Sequence, residues 1–536
     1  MSDILNTLLY HSPALIVAVP LLGAFLTPLI GKINDKLRNI FAIVIVLITS
    51  FLVYLLVSDV FSNGIRTYVF GGSSPLVNNS FAVRILFEVD GLNAFMAIIA
   101  SILAIAGVIY SWSFMKENTG LDKYYTLILL MIAGMFGMIL TGDMFNFFVF
   151  LEITSIASCA LIAFRTNQGS AVDAGFKYIV ISSIGALFIL FAIGILYSQY
   201  NALNMAVIAN SISYGFLDKI ALVLLISGLA MKAGIVPMHM WLPDAYGRAP
   251  SSVTLILIGT TQASLYGVLR VIFSIYGKHL TLPVKTIGDT NLSLSALIGI
   301  ILISFALLTI LIGVLMALKQ NDFKKMIAFA AVGEIGYMLL AFGAAITSIS
   351  TDPLTGSTIL ATHGEVALKG GIFHIINDAL DVGLLFLVAG AIYYATKHSS
   401  LNKLGGLARN MKYTTIFFII GLLAVAGIPP MNGYVSKLLI YQSTFQVNPI
   451  LSIIAILCSI LLLAVFVKVF HSAFLGPKLP KFKDAKEVPK SMILGMGIIA
   501  CIIIFFGLFP NLILDNIIDP VARAIFDYSA YIGGVL

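Results

Sequence analysis

Charge is what this 536-residue sequence has least of. Asp, Glu, Lys and Arg together make up 10% of the residues, against 60% hydrophobic, and the mean hydropathy is +1.04. A soluble globule of this length has no interior large enough to hide so much apolar surface, which excludes a water-soluble enzyme or binding domain. Cysteine is scarce too. Cys159, Cys458 and Cys501 are isolated in apolar runs, and their spacing suits neither a disulfide framework nor a zinc site nor a cluster. A glycine-rich phosphate loop and a nucleotide motif are also missing, so no cofactor and no metal centre are expected. The net charge of +7 would suit a nucleic-acid partner, but its distribution gives it another meaning.

Apolar residues run in stretches of about 20, enough to cross a bilayer as helix. Roughly fourteen are expected, beginning near Ser12, Asn39, Gly91, Asp122, Asp143, Asp173, Asp218, Ala249, Asn291, Phe323, Glu365, Tyr413, Asn448 and Ser491. The fold class is therefore an all-α polytopic membrane protein. The first span ends Pro28-Leu-Ile-Gly31 and runs into a charged turn, so no cleavable signal peptide is expected.

The basic residues test this map. Lys32, Lys36 and Arg38 follow the first span, Lys116 and Lys123 the third, Arg165 and Lys177 the fifth, and Arg248 the seventh. Lys319, Lys324 and Lys325 follow the ninth; Lys397, Lys403, Arg409 and Lys412 the eleventh; Lys478, Lys481, Lys483, Lys486 and Lys490 the thirteenth. Twenty of the 31 Lys and Arg thus fall on one side, and the other holds Arg66, Arg84, Lys278, Lys285 and Arg523. The positive-inside rule puts the odd-numbered connections in the cytoplasm and both termini outside, in a multi-pass protein of the cell membrane. The charge is topogenic, and no nucleic-acid partner is expected.

Six basic residues remain within or at the ends of spans: Lys219, Lys232, Arg270, Lys369, Lys437 and Lys468. A charge near the bilayer centre costs about 2.5–3.5 kcal/mol on insertion scales, so it calls for a partner or a hydrated cavity. Lys219 and Arg270 sit near span ends, where snorkelling is expected. Lys232 lies in the middle of an apolar helix expected from Asp218 to Pro237, roughly 21 Å along it. Its surroundings recur. GLAMKAGIVPM from Gly228 returns 193 positions later as GLLAVAGIPPM from Gly421. Pro237 in one copy, and Pro429 and Pro430 in the other, are expected to break their helices. Paired interrupted spans in matching halves point to an ion path. The lysine precedes the first break, as Lys232, and follows the second, as Lys437.

Buried acids are as sparse. Glu152 interrupts FNFFVFLEITSIASCALIAF and Glu334 interrupts AFAAVGEIGYMLLAF; each either takes part in ion movement or pins two helices through a buried ion pair. Asp143, in TGD before a span, reads as a helix N-cap. The eleventh span, GGIFHIINDALDVGLLFLVAG, adds His374, Asp378 and Asp381, with His374 and Asp378 four apart on one face. Two ligands make a poor metal site, so a proton relay is the expected use.

These residues carry a family resemblance. PMHMWLPDAYGRAPSSV, from Pro237 to Val253, resembles the PFHxWLPDAxxxAP signature of antiporter-like subunits, found in Mrp-type cation/proton antiporters, respiratory complex I, membrane-bound hydrogenases and related archaeal complexes. YVFGG and VDGLNAF before the third span, YGVLR at Tyr266 and GIPPMNGYVSK at Gly427 extend it over nearly the whole chain. The resemblance implies fourteen helices with two inverted five-helix repeats, each containing one broken helix. The expected division is 1–121 for the N-terminal helices and hairpin, 122–278 and 291–475 for the two repeats, and 476–536 for the C-terminal helix and tail. Glu152 and Lys232 match the family's glutamate–lysine pair, and Lys437 its second broken-helix lysine. Glu334, Lys369, His374, Asp378 and Asp381 complete the expected translocation set. The implied partners are other membrane subunits, the lipid bilayer, protons and sodium ions.

Two positions depart from that pattern. Gln262 stands where the family usually has lysine or histidine, and NDALDVGLLFL from Asn377 differs from NHALFKALLFL, with Val382 in place of lysine. Lys369 and Asp381 are expected to restore the charge balance. The chain then reads as an ion-translocating subunit, not itself an enzyme, of a redox-driven complex of the hydrogenase or sulfur-reductase type. A subunit of a stand-alone Mrp-type Na+/H+ antiporter and a degenerate non-transporting scaffold stay open beside it.

Overall fold

The computed structural model describes all residues except 1, 72–75, 78–79, 82–83, 286–290, 352–357 and 478–484. Gly72 of the YVFGG stretch and Lys478, Lys481 and Lys483 of the basic cluster lie outside the described residues, as does the side chain of Lys285. The helices run α1 (Ser2–Gly31), α2 (Asp35–Asn63), α3 (Gly91–Phe114), α4 (Leu121–Leu140), α5 (Met144–Ile162), α6 (Gly169–Tyr200) and the short α7 (Met205–Ser211). They continue with α8 (Phe216–Ala233), α9 (Trp241–Arg248), α10 (Ser251–Leu269), α11 (Leu294–Lys319), α12 (Phe323–Thr347) and α13 (Thr362–Thr396). The last are α14 (Lys412–Val425), α15 (Asn432–Val447), α16 (Pro449–Val469), α17 (Lys490–Leu508), α18 (Pro510–Ile513), α19 (Asp519–Phe526) and α20 (Tyr528–Gly533).

Among the described residues, thirteen helical segments are long and apolar enough to span a membrane. The fourteenth expected span, near Tyr413, is the pair α14 and α15, of 14 and 16 residues. The protein is a multi-pass membrane protein. The first helix starts well before the expected Ser12, because nothing in SDILNTLLYH stops a helix and Pro13 is accommodated inside it.

Pro237 lies between α8 and α9, and Pro429 and Pro430 between α14 and α15, but proline alone does not break a helix here. Pro13, Pro20 and Pro28 all stand within α1. What ends α8 and α14 is glycine in the left-handed conformation, Gly234 at φ +74° and Gly427 at φ +70°, a state L side chains resist. Both ends close with the same pair of hydrogen bonds. Ile235 N donates to Ala230 O and Gly234 N to Met231 O; Ile428 N donates to Leu423 O and Gly427 N to Ala424 O. This is the Schellman arrangement, and every partner is 193 positions from its counterpart.

The helices are buried very unequally. α10 and α13 are buried along their whole apolar windows and α12 along 94%, whereas α1 and α2 reach 33%. A helix hidden all round needs no polar face, so the polar residues of α10, α12 and α13 face other helices. Close approach comes from glycine: a Cβ on Gly313 of α11 would stand 2.4 Å from the backbone N of Gly333 on α12. Small residues at such crossings let membrane helices pack through van der Waals contact. Outside the spans, Arg66–Val69 pairs antiparallel with Leu86–Val89.

Candidate functional site

Lys232 sits in the last turn of α8, not in the middle of a longer helix, because Gly234 ends the helix before Pro237. The ammonium is therefore at the break. It donates to Ser155 Oγ at 2.6 Å and to Ser182 Oγ at 2.5 Å, while Glu152 Oε1 lies 3.7 Å away, beyond a direct hydrogen bond. Glu152 is 29% exposed and Lys232 6%. A cavity of about 10 Å³ joins Lys232 and Ser155 to Thr260, Thr261 and Ser264 of α10, room for about one water among several hydroxyls.

Lys437 is on the second turn of α15, past the second break. Its ammonium donates to Glu334 Oε1 of α12 at 2.8 Å and to the carbonyl of Val425, the last residue of α14, at 2.7 Å. Helix-end carbonyls have no acceptor role inside their own helix, so the lysine satisfies one of them. Val425 is also the repeat equivalent of Lys232. The two lysines, displaced by twelve positions within the repeat, thus bring charge to corresponding helix ends. The Lys437 ammonium lies 4.6 Å from the Tyr337 ring centre, a cation–π contact.

From Glu334 the polar groups continue. His374 Nε2 is 2.9 Å from Glu334 Oε2, though not aligned as a hydrogen bond, and His374 Nδ1 is 3.1 Å from Ser436 Oγ. Asn377 Nδ2 donates to Ser436 Oγ at 2.9 Å and to the Asn432 carbonyl at 3.1 Å. Asp381 abuts the second break, 3.2 Å from where a Cβ on Gly433 would stand. Asp378 faces the other way, accepting from Gln262 Nε2 at 3.0 Å. Gln262 Nε2 also donates to the Ile375 carbonyl at 2.9 Å. Gln262 therefore does bridge α10 to α13, by a hydrogen bond instead of a charge. Its Oε1, Asp378 Oδ1 and Asp381 Oδ1 are buried without a hydrogen-bond partner among the described residues, which is unusual in a merely structural core.

The other expected charges divide. Lys369 is not on this axis and does not balance Asp381: it pairs with Glu365 at 2.9 Å and Asp519 at 3.0 Å, because the C-terminal segment folds back against the start of α13. Lys468 caps the end of α11 through the carbonyls of Leu318 and Gln320. Lys219 is exposed and lies over the Tyr214 ring. Arg270 does not snorkel. It is 2% exposed and chelates Asp90 at 2.7 and 2.9 Å, with Asn93 at 2.7 Å. Two residues placed in connections are buried as well, Arg38 against Asp122 and Lys324 against the Ala249 carbonyl. Asp143 caps α5, accepting from Asn146 N at 2.7 Å. His374 and Asp378 share a helix face in sequence, yet they reach different partners. Among the described residues, no group of three His, Cys, Asp or Glu is arranged to hold a metal.

Ser155, Ser182, Ser436, Asn377 and Asn432 are missed by a reading based on charge. Their signal is a hydroxyl or amide inside an apolar run, which is weak because such groups also bond their own helix carbonyl.

Residues 141–463 match the family described as NADH:quinone oxidoreductase/Mrp antiporter, transmembrane. Residues 76–125 match the N-terminal region described for chain 5 of NADH-ubiquinone oxidoreductase (complex I). Hydrogenase-4 component B of Escherichia coli is 31% identical over 438 residues, 78% of this chain; the chain spans 62% of that relative's length. A Na(+)/H(+) antiporter subunit of Bacillus subtilis is 28% identical over 528 residues, 97% of this chain and 98% of the relative. Among solved structures, a chain of the membrane-bound sulfane sulfur reductase, an archaeal respiratory membrane complex, superposes with TM-score 0.82 at 26% identity, covering 98% of this chain and 99% of that one. A chain of the Mrp complex from a Dietzia species has TM-score 0.83 at 23% identity, over 99% and 100%, and shares the fold.

Proposed function

Because the chain belongs to the NADH:quinone oxidoreductase/Mrp antiporter transmembrane family, we propose that it moves protons across the cell membrane within a redox-driven respiratory complex of the hydrogenase or sulfur-reductase type. It is an antiporter-like membrane subunit, and the coupling chemistry belongs to its partners. The observation that carries this reading is the pairing of two equivalent helix breaks, each meeting a lysine ammonium, with Gln262–Asp378 between them.

In the proposed relay, Lys232 holds a proton that Glu152 controls by its approach. At 3.7 Å the carboxylate can tighten or withdraw, and a charge's attraction changes steeply with distance in a medium of low dielectric. The hydroxyls of Thr260, Thr261 and Ser264 lead to α10, and Gln262–Asp378 crosses it. His374 and Glu334 then connect to Lys437. Asp381, beside the second break, is assigned to the same path. The amide of Gln262 donates and accepts hydrogen bonds without storing a proton, so transfer at that point needs the carboxyl of Asp378. Lys369, paired with Glu365 and Asp519, is left outside the proposed relay. Residues 122–278 and 291–475 form the two inverted half-channels of this proposal, with 1–121 and 476–536 flanking them and both termini outside.

A stand-alone Na+/H+ antiporter subunit is the second reading, favoured by the end-to-end match to the Bacillus subtilis antiporter protein. Purification of the intact complex through a tag on this chain tests both. Co-purifying iron–sulfur and nickel–iron subunits support the first; small antiporter subunits alone overturn it in favour of the second. Proton flux in vesicles that is unchanged by Lys232→Ala overturns the relay.

A further inference from the structure

Away from the relay, one end of the bundle gathers cations with few acids to match them. Arg165 lies in the turn between α5 and α6, Arg248 ends α9 and Lys324 is in the first turn of α12. With Gln168, Ser251 and Tyr393 they line a cavity of about 50 Å³. At roughly 10–15 Å³ per water, that is room for three to five waters or one small oxyanion.

The lining is dominated by donors. Arg165 is held between two rings, its guanidinium carbon 5.6 Å from the Phe114 centre and 5.4 Å from that of Tyr393, and among the described residues no carboxylate pairs with it. Lys324 is buried and donates one N–H to the Ala249 carbonyl, which leaves two N–H groups of its ammonium. The acid in the vicinity, Asp322, is 4.0 Å from Arg248 Nη1 and accepts from Ser399 Oγ at 2.7 Å. α10 begins at this cavity, and Pro250 gives it no side-chain cap; Val253 N and Thr254 N donate to the Pro250 carbonyl, so the amides left without intrahelical acceptors are the first two, of Ser251 and Ser252. Independently, the Ser251 hydroxyl is fully buried and has no hydrogen-bond partner among the described residues.

We propose that this cavity binds a phosphate-class oxyanion. Arg165 and Lys324 neutralise it, Arg248 adds long-range attraction, and the Ser251 hydroxyl with the first amides of α10 holds the remaining oxygens. Helix N-termini and planar guanidinium groups are the usual means of holding such anions, and basic pockets between membrane helices take anionic headgroups. The bound group joins the α5–α6 turn to the starts of α10 and α12, the helices that carry Gln262 and Glu334. The same chemistry is presented by an anionic phospholipid headgroup and by free phosphate. The site stands apart from the proposed relay and does not depend on it.

Thermal melting of the purified complex tests this with two probes: inorganic phosphate titrated against chloride at equal ionic strength, and vesicles of phosphatidylglycerol compared with phosphatidylcholine. A rise in Tm with phosphate identifies the free anion, and a rise with phosphatidylglycerol alone identifies the headgroup. In either case Arg165→Gln raises the half-saturating probe concentration at least tenfold. Lys397→Gln, which removes an exposed cation paired with Glu117 outside the cavity, leaves it unchanged. If Arg165→Gln fails to fold, Ser251→Ala gives the same readout with a smaller change of shape. No rise with either probe, or equal rises in wild type and the cavity variants, overturns the proposal.

Discussion

Lys437 and Glu334 form a buried ion pair, 2.8 Å apart and each 2% exposed, whereas Lys232 and Glu152 stand 3.7 Å apart with the glutamate 29% exposed. The two breaks share a backbone, yet their charges are held differently. In the second half the pair is locked by direct contact and by the Val425 carbonyl. In the first, serine hydroxyls hold the lysine and the carboxylate stays outside hydrogen-bonding reach.

Removing one partner of a buried pair strands the other charge, which costs about 3–5 kcal/mol. Glu334→Ala should therefore lower the stability of the purified complex by that order and abolish ion flux. Replacing both charges, Glu334→Gln with Lys437→Met, should recover much of the stability and none of the flux. Melting curves and vesicle flux on the same preparations separate the two effects. Flux restored together with stability in the double variant would show the pair to be a helix pin.

The looser first pair makes the opposite expectation for stability. Glu152→Gln should cost less than about 1 kcal/mol, as partly exposed pairs do, while Glu152→Ala and Lys232→Ala abolish coupled flux in an assembled complex. Ser155→Ala with Ser182→Ala removes both hydrogen bonds to Lys232 and should reduce flux severalfold without preventing assembly. Wild-type flux in the serine double variant would separate Lys232 from its hydroxyls.

What the sequence makes legible here is what apolar length and isolated charge record. Fourteen runs of apolar residues and the 193-residue repeat reveal the helices and both breaks, because in hydrocarbon every backbone group must be satisfied within a span. The cause of the breaks was harder to see. Proline is the visible breaker, but Gly234 and Gly427 do the terminating, and three prolines sit harmlessly in α1. Partners are harder still. Nothing local tells Arg270 near a span end from a snorkelling arginine, since Asp90 is 180 positions away. Lys369 looked axial for the same reason, until Asp519 arrived from the far end of the chain.

Gln262 is where the relay is most exposed to test. Its amide already donates to Asp378 at 3.0 Å, so Gln262→Lys would convert that hydrogen bond to an ion pair and fix the charge of Asp378. Flux should fall several-fold with assembly retained. Asp378→Asn and His374→Ala should cost more than Gln262→Ala, which removes a partner but no proton carrier. Equal and negligible effects from these substitutions would favour a non-transporting scaffold.

The last expectation concerns Glu88, in the strand Leu86–Val89 outside the spans. Its side chain is fully buried, and among the described residues neither carboxylate oxygen has a hydrogen-bond partner. Burial pushes its carboxyl well above the ordinary 4.5; Arg270 pulls it down, and Asp90 pushes the same way as burial. Arg270 is committed to Asp90, so the pull does not prevail. A carboxyl raised in the folded state binds its proton more tightly there than in the unfolded chain. Its contribution is fully present below about 4.5 and is lost as the pH rises through the folded value. Glu88→Gln keeps the shape and cannot ionise, so the variant should lose less stability than wild type on going from about pH 5 to about pH 9. Melting temperatures of both proteins across that range, at fixed ionic strength, make the comparison. Parallel profiles would mean that Glu88 is ionised throughout, its charge carried by Arg270 together with that of Asp90.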